Sequence, residues 1–156
     1  MHTAEKGDFE LFDANHFRVG IVVARFNWDV CEKLLMSAQQ MCTAYHIPHE
    51  HIDVVKVAGC IEIPLALQCL AETEKYDVLL VLGCVIRGET PHFDYVCKIA
   101  SEGILRVMLD FSMPVGFGIL TCNTLEHALE RVDTGGEALR AAVHSKKVIQ
   151  SINEHV

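Results

Sequence analysis

The chain has 156 residues, 51% of them hydrophobic, and a formal net charge of −8. That length accommodates one domain, residues 1–156, whose core needs no staples, and the acidic balance argues against a nucleic-acid surface or a polybasic membrane patch. The seven cysteines (Cys31, Cys42, Cys60, Cys69, Cys84, Cys97 and Cys122) are odd in number and include no CxxC pair. Most lie in apolar runs as small hydrophobes, so reduced thiols in a cytoplasmic protein are expected.

The opening MHTAEKGDFELFDANHF has neither a basic n-region nor an apolar h-region. Residues 1–16 read as a polar arm, in which Phe9, Leu11 and Phe12 would permit an extra edge strand on a neighbouring subunit's sheet. RVGIVVA (18–24) is a β-branched strand, followed by a helical pattern with Val30, Leu34, Leu35, Ala38 and Met41 on one face and Asn27 or Asp29 as its cap. Ile52–Val57 makes a second strand, Ala58-Gly59 breaks it, and Ile61–Ala71 has helical spacing with Pro64 in its first turn.

LLVLGCVIRGETPHFDY (79–95) is the stretch the rest is organised around. The apolar run Val78–Leu82 has the composition of a strand buried on both faces. Gly83 and Gly88 bracket a polar turn bearing Thr90 and His92, and Pro91 delays helix until about Phe93. Phe93–Phe111 carries Val96, Ile99, Ala100, Gly103, Ile104 and Val107 along one stripe. Val115–Leu120 is the fourth strand. Helices are expected over Leu125–Val132 and, after the pair Gly135-Gly136, over Glu137–Ile152.

Strand and helix alternate four times, which calls for parallel strands with crossovers on both faces: an α/β, flavodoxin-like three-layer sandwich with a four-stranded sheet. Parallel strands bring their carboxyl ends to one edge, where such sheets bind ligands. There Phe26 and Asn27, Gly59–Glu62, Cys84–His92 and Thr121–Asn123 would gather an aromatic face, a carboxylate, free amides and an imidazole, suited to a planar heterocycle and a small anion.

Each residue also has a plainer reading. His92 alone is more often a surface loop histidine than an acid/base group, and its place beside glycine and threonine at a strand end makes the two readings about even; Phe26 would serve as a core or lid residue. Glu62 at a helix start and Arg131 near a helix end both suit the helix dipole without any ligand. His49-Glu-His51 lacks a third partner, so no metal is expected, and neither GxxxxGK[ST] nor GxGxxG after the first strand is present. Gly116 and Gly118, inside a strand, permit close packing.

Four segments, ARFN (24–27), VAGCIEIPLAL (57–67), LGCVIRGETPHFDYVC (82–97) and PVGFGILTCNTLEHALER (114–131), resemble the lumazine synthase family in its order and over most of the chain. The third is the most specific. The resemblance implies a transferase of riboflavin biosynthesis, condensing 5-amino-6-(D-ribitylamino)uracil with (S)-3,4-dihydroxy-2-butanone 4-phosphate and releasing phosphate and water, without metal or organic cofactor. It implies a pentamer-based homo-oligomer with sites between subunits. By the same resemblance Phe26 stacks on the pyrimidine, and Cys60, Ile61, Glu62, Cys84, Val85 and Ile86 hold the ribityl chain and ring edge. Glu89 and Thr90 form the phosphate turn, His92 is the proton donor, and Phe117 and Arg131 reach in from a neighbouring subunit. The chain departs from the family at Ala58, Cys60 and Ile61, at Glu89, whose backbone amide rather than carboxylate is expected to face phosphate, and in the shortened segment Val132–Gly136. A non-catalytic flavin- or precursor-binding module and a shell-forming protein are the rival readings, separated from the enzyme by assaying product formation.

Overall fold

A computed structural model describes Gly7 and residues 9–155; the remainder of the arm, residues 1–6 and 8, lies outside the described residues. Four strands, β1 (Val19–Ala24), β2 (Ile52–Val57), β3 (Val78–Ile86) and β4 (Val115–Cys122), form one parallel sheet in the order β2-β1-β3-β4. β1 is buried throughout and β3 over its first seven residues, as continuous aliphatic runs covered on both faces require. β2, at an edge, alternates between half-buried and exposed positions.

The helices are α1 (Trp28–Ala44), α2 (Ile63–Glu72), α3 (His92–Asp110), α4 (Leu125–Leu129) and α5 (Thr134–Glu154). Alternation along the strands divides the core in two. Val19, Ile21, Val23, Leu80, Leu82 and Cys84 pack under α1 and α5, whereas Val22, Ala24, Leu79, Val81 and Ile119 pack under α2 and α3. This is the flavodoxin-like three-layer arrangement. Its strand order reverses direction between β1 and β3, which opens a crevice beyond their carboxyl ends. Among the described residues, no helix is long and apolar enough to cross a membrane.

Several local expectations are corrected. Gly83 lies inside β3, not at a turn, because a Cβ there would come within 2.5 Å of Cys60 Sγ and 3.5 Å of Ile63 Cδ1. α3 starts one residue early, at His92, directly after Pro91. Ile99 is 46% exposed, off the buried stripe of Val96, Ala100, Ile104 and Val107. The helix expected to reach Val132 ends at Leu129 and turns, with the Arg131 amide bonded to the Ala128 carbonyl at 3.0 Å.

The pair Gly135-Gly136, read from sequence as a break, sits in the first turn of α5. A Cβ on Gly135 would strike the Leu34 carbonyl of α1, and the Gly136 amide donates to Ser37 Oγ at 3.0 Å. Close approach of two helix backbones offsets the poor helix propensity of glycine, about 1 kcal/mol per residue. Gly116 in β4 likewise lets the Ala138 carbonyl of α5 come near, as expected for close packing.

The described part of the arm contains no strand. Phe9 meets the His144 ring at 4.7 Å, and Phe12 meets the Tyr45 ring at 5.3 Å, so both lie over α1 and α5 of their own chain.

Candidate active site

Three loops meet beyond the carboxyl ends of β1, β2 and β3. After β1 the ladder continues through the amides of Arg25 and Phe26, which donate to the carbonyls of Val57 (2.8 Å) and Ala58 (3.0 Å). The chain then turns at Asn27, whose φ of 58° is left-handed. Neither Asn27 nor Asp29 caps α1 through its side chain, contrary to the sequence reading. Asn27 Nδ2 instead donates to the Cys84 carbonyl at 2.9 Å, tying the end of β1 to β3. An asparagine tolerates the left-handed region better than most residues, and the tie holds it there.

After β2, Gly59 is extended and Cys60–Glu62 form one 3-10 turn leading into α2. Glu62 closes that turn: its Oε2 accepts from the Gly59 amide at 2.9 Å, and its own amide donates to the Gly59 carbonyl at 3.1 Å. One oxygen of this carboxylate is thereby engaged in holding its own loop. After β3, Gly88–Pro91 lead into α3, and the His92 amide lies 3.4 Å from Thr90 Oγ1.

Between these loops is a cleft of about 440 Å³, mostly apolar and of the size that takes a small organic ligand. Phe26 stands at its wall, 73% exposed, which excludes the core reading of that ring. Cys60, Ile61 and Glu62, Cys84, Val85 and Ile86, and Thr90 and His92 line the rest. Asn27, Ala58, Gly59, Gly88, Phe93 and Val96 join them. Phe93 and Val96 were read from sequence only as helix positions. Their spacing of three puts them on one helical face with His92 adjacent, the pattern by which they could have been found.

Three expected site residues are not in this cleft. Glu89 belongs to the same loop and is exposed, but is not among the lining residues. Phe117 lies on β4 at the sheet's edge, 43% exposed. Arg131 follows α4, its Nη1 donating to the His127 carbonyl at 2.7 Å and lying 3.7 Å from Glu130 Oε2. Thr121–Asn123 are also outside: Asn123 Oδ1 accepts from Arg87 Nε at 3.2 Å.

The thiols at the cleft are unsuited to nucleophilic work. Burial, reinforced by neighbouring thiols, pushes Cys60 up to about 12 and Cys84 to about 11, so both stay protonated at neutral pH. Cys31 beneath them, also pushed to about 12 by burial, lies 3.3 Å from the Phe26 carbonyl. The polar groups left at the cleft are therefore the His92 imidazole, the Thr90 hydroxyl, the Glu62 carboxylate, the Asn27 amide and the backbone. α2 and α3 both begin at the cleft, and helix starts present unpaired amides that favour negative charge. The site can stack a flat ring on Phe26, hold a polar chain along the β3 end, receive an anion and move protons at His92.

The model of the 6,7-dimethyl-8-ribityllumazine synthase family matches residues 16–150. Relatives bearing that name include one from Desulfovibrio desulfuricans, 42% identical over 145 residues that span 90% of this chain and 93% of the relative. One from Polaromonas sp. is 39% identical across 97% of this chain and 99% of its own length, and one from Paracidovorax citrulli is 39% identical across 98% and 100%. Both the spacing of the loops around the cleft and these full-length matches lead to one conclusion: the chain belongs to the 6,7-dimethyl-8-ribityllumazine synthase family, enzymes of riboflavin biosynthesis.

Proposed function

We propose that the cleft condenses 5-amino-6-(D-ribitylamino)uracil with (S)-3,4-dihydroxy-2-butanone 4-phosphate, and that each working site is shared by two copies of the chain. The pyrimidine stacks on Phe26, and the ribityl chain runs along Cys60–Glu62 and Cys84–Ile86. The phosphate lies at the turn before α3, held by the amides of Glu89 and Thr90, with the Glu89 carboxylate toward solvent. In the reaction the amine adds to the ketone, the imine forms with loss of water, phosphate is eliminated, and attack of the ribitylamino nitrogen on the remaining carbonyl closes the ring with loss of a second water. His92, beside the cleft at the start of α3, hands protons between these steps. Holding two substrates in reacting geometry supplies much of the acceleration, since effective molarities reach roughly 10⁵ M or more.

The observation that carries this reading is the division of residues. Phe26, Thr90 and His92 converge on one cleft, whereas Phe117, exposed on β4, and Arg131, half-buried just after α4, lie outside it. A neighbouring copy that inserts its β4–α4 side into the cleft brings the aromatic ring and the guanidinium that the cleft lacks, completing phosphate recognition by charge-assisted hydrogen bonds. Donor side and acceptor cleft are different surfaces, so the contact is head-to-tail, and it makes a ring where the rotation between copies closes. We take that ring to be a pentamer or a multiple of it, in the cytoplasm, where exposed Cys69 and the other thiols stay reduced.

Complementation tests this reading. His92→Ala slows kcat about 100-fold, the scale of one acid/base group, and Arg131→Ala is separately impaired. Assemblies formed from the two variants together regain lumazine absorbance, because some sites then pair an intact cleft with an intact Arg131. No recovery in properly mixed assemblies refutes the shared site; no lumazine from the unsubstituted protein refutes the enzyme and favours a binding or shell-forming role.

A further inference from the structure

Arg87 is the first residue beyond β3 and does not itself line the cleft. Its amide donates to the Cys122 carbonyl at 2.9 Å, so its backbone belongs to the rigid end of the β3–β4 pair. From there its guanidinium makes three contacts. Nε donates to Asn123 Oδ1 at 3.2 Å, Nη2 lies 3.4 Å from Asp94 Oδ1, and Cζ sits 4.3 Å from the centre of the Phe93 ring. Phe93 and Asp94 are the two residues directly after His92 in the first turn of α3. The intervening loop is otherwise lightly held: the Asp94 amide donates to the Pro91 carbonyl at 3.0 Å, the His92 amide lies 3.4 Å from Thr90 Oγ1, and a Cβ on Gly88 would meet nothing within 4 Å.

We propose that Arg87 is a positioning residue for His92: a planar guanidinium, anchored to the sheet, grips the first turn of α3 and sets where the imidazole meets the cleft. The proposal rests on the reading of His92 as the proton-transfer group. Exposed ion pairs contribute little singly, and the Arg87–Asp94 pair is exposed, with side-chain accessibilities of 47% and 61%. What distinguishes it is the simultaneous use of the charge, the fork and the flat face, a combination lysine cannot reproduce. The bond to Asn123 also links this turn to the end of β4, the strand that carries Phe117.

The test compares the assembled parent protein with Arg87→Ala, Arg87→Lys, His92→Ala and the Arg87→Ala/His92→Ala double variant. Because a displacement of about 1 Å can cost as much as 100-fold, Arg87→Ala is expected to lower kcat about 10-fold with both KM values within about two-fold. Arg87→Lys recovers part of the loss, and in the His92→Ala background Arg87→Ala changes kcat by less than about two-fold, as residues acting as one unit do. An Arg87→Ala enzyme as fast as the parent, a loss carried by KM, or losses that multiply in the double variant would overturn the role of Arg87 and leave His92 in place. An undiminished His92→Ala enzyme overturns both. If Arg87→Ala does not fold, Asp94→Ala removes the other end of the grip and is held to the same pattern.

Discussion

The α1–α5 layer and the cleft use the same residue type for opposite ends. Under and between these helices, glycine admits backbone from another element: Gly135 of α5 faces the Leu34 carbonyl of α1, and Gly116 of β4 the Ala138 carbonyl of α5. At the cleft, Gly88 faces empty space and Gly59 only the Glu62 carboxylate, at 3.3 Å. A filled contact records packing, and an unfilled one leaves the loop at the cleft without that support. Substitutions in the first region should therefore act on stability, and those in the second on turnover.

The largest expected effect comes from Gly135→Ala, whose new methyl has no space. It should lower the unfolding free energy by about 3 kcal/mol, measured by denaturant titration, while kcat per folded molecule is unchanged. A variant as stable as the parent would remove the packing account of that helix start.

The thiols extend the comparison, since Cys42 in the α1–α5 layer is pushed up to about 12 by burial just as Cys60 is at the cleft. Their folded values lie above the unfolded value of 9.0. The stability they contribute is thus fully present below pH 9 and is lost as pH rises toward 12, because only the unfolded chain can ionise them. Each such thiol should steepen the loss by up to about 1.4 kcal/mol per pH unit. Cys42→Ala should flatten that decline in alkaline unfolding curves, and an unaltered slope would contradict its burial.

A smaller effect, on function alone, is expected from Arg131→Ala: a rise of roughly 10-fold, or about 1.4 kcal/mol, in the KM for the phosphate substrate, with the melting temperature unchanged. A lowered melting temperature with unaltered KM would instead return Arg131 to a purely local role on α4. The smallest effect belongs to Gly88→Ala. With nothing near its Cβ, stability should shift by under about 0.5 kcal/mol, and any change in kcat would then come from the stiffness of the loop itself.

Much of the fold was legible because its signals are local. Buried aliphatic runs, helical stripes and Pro64 in a first turn depend on neighbours a few residues away, and they predict the four strands and their order of alternation. The motifs around Phe26, Glu62 and His92 pointed to the cleft's loops for the same reason. The misreadings share the opposite cause. Gly83 was taken for a turn and Gly135-Gly136 for a break because glycine is locally a breaker, and only the arrival of Cys60 or Leu34 from elsewhere in the chain reverses that meaning.

By itself, then, the order of residues determined the alternating strands and helices, the parallel sheet and the family, because repeated apolar patterns and uninterrupted motifs are written along the chain. Tertiary structure alone decided that Asn27 reaches the Cys84 carbonyl and that Arg87 joins Asp94 to Asn123. Those contacts close over as many as 57 residues of sequence, and no local pattern carries the geometry of groups that meet only once the sheet has formed.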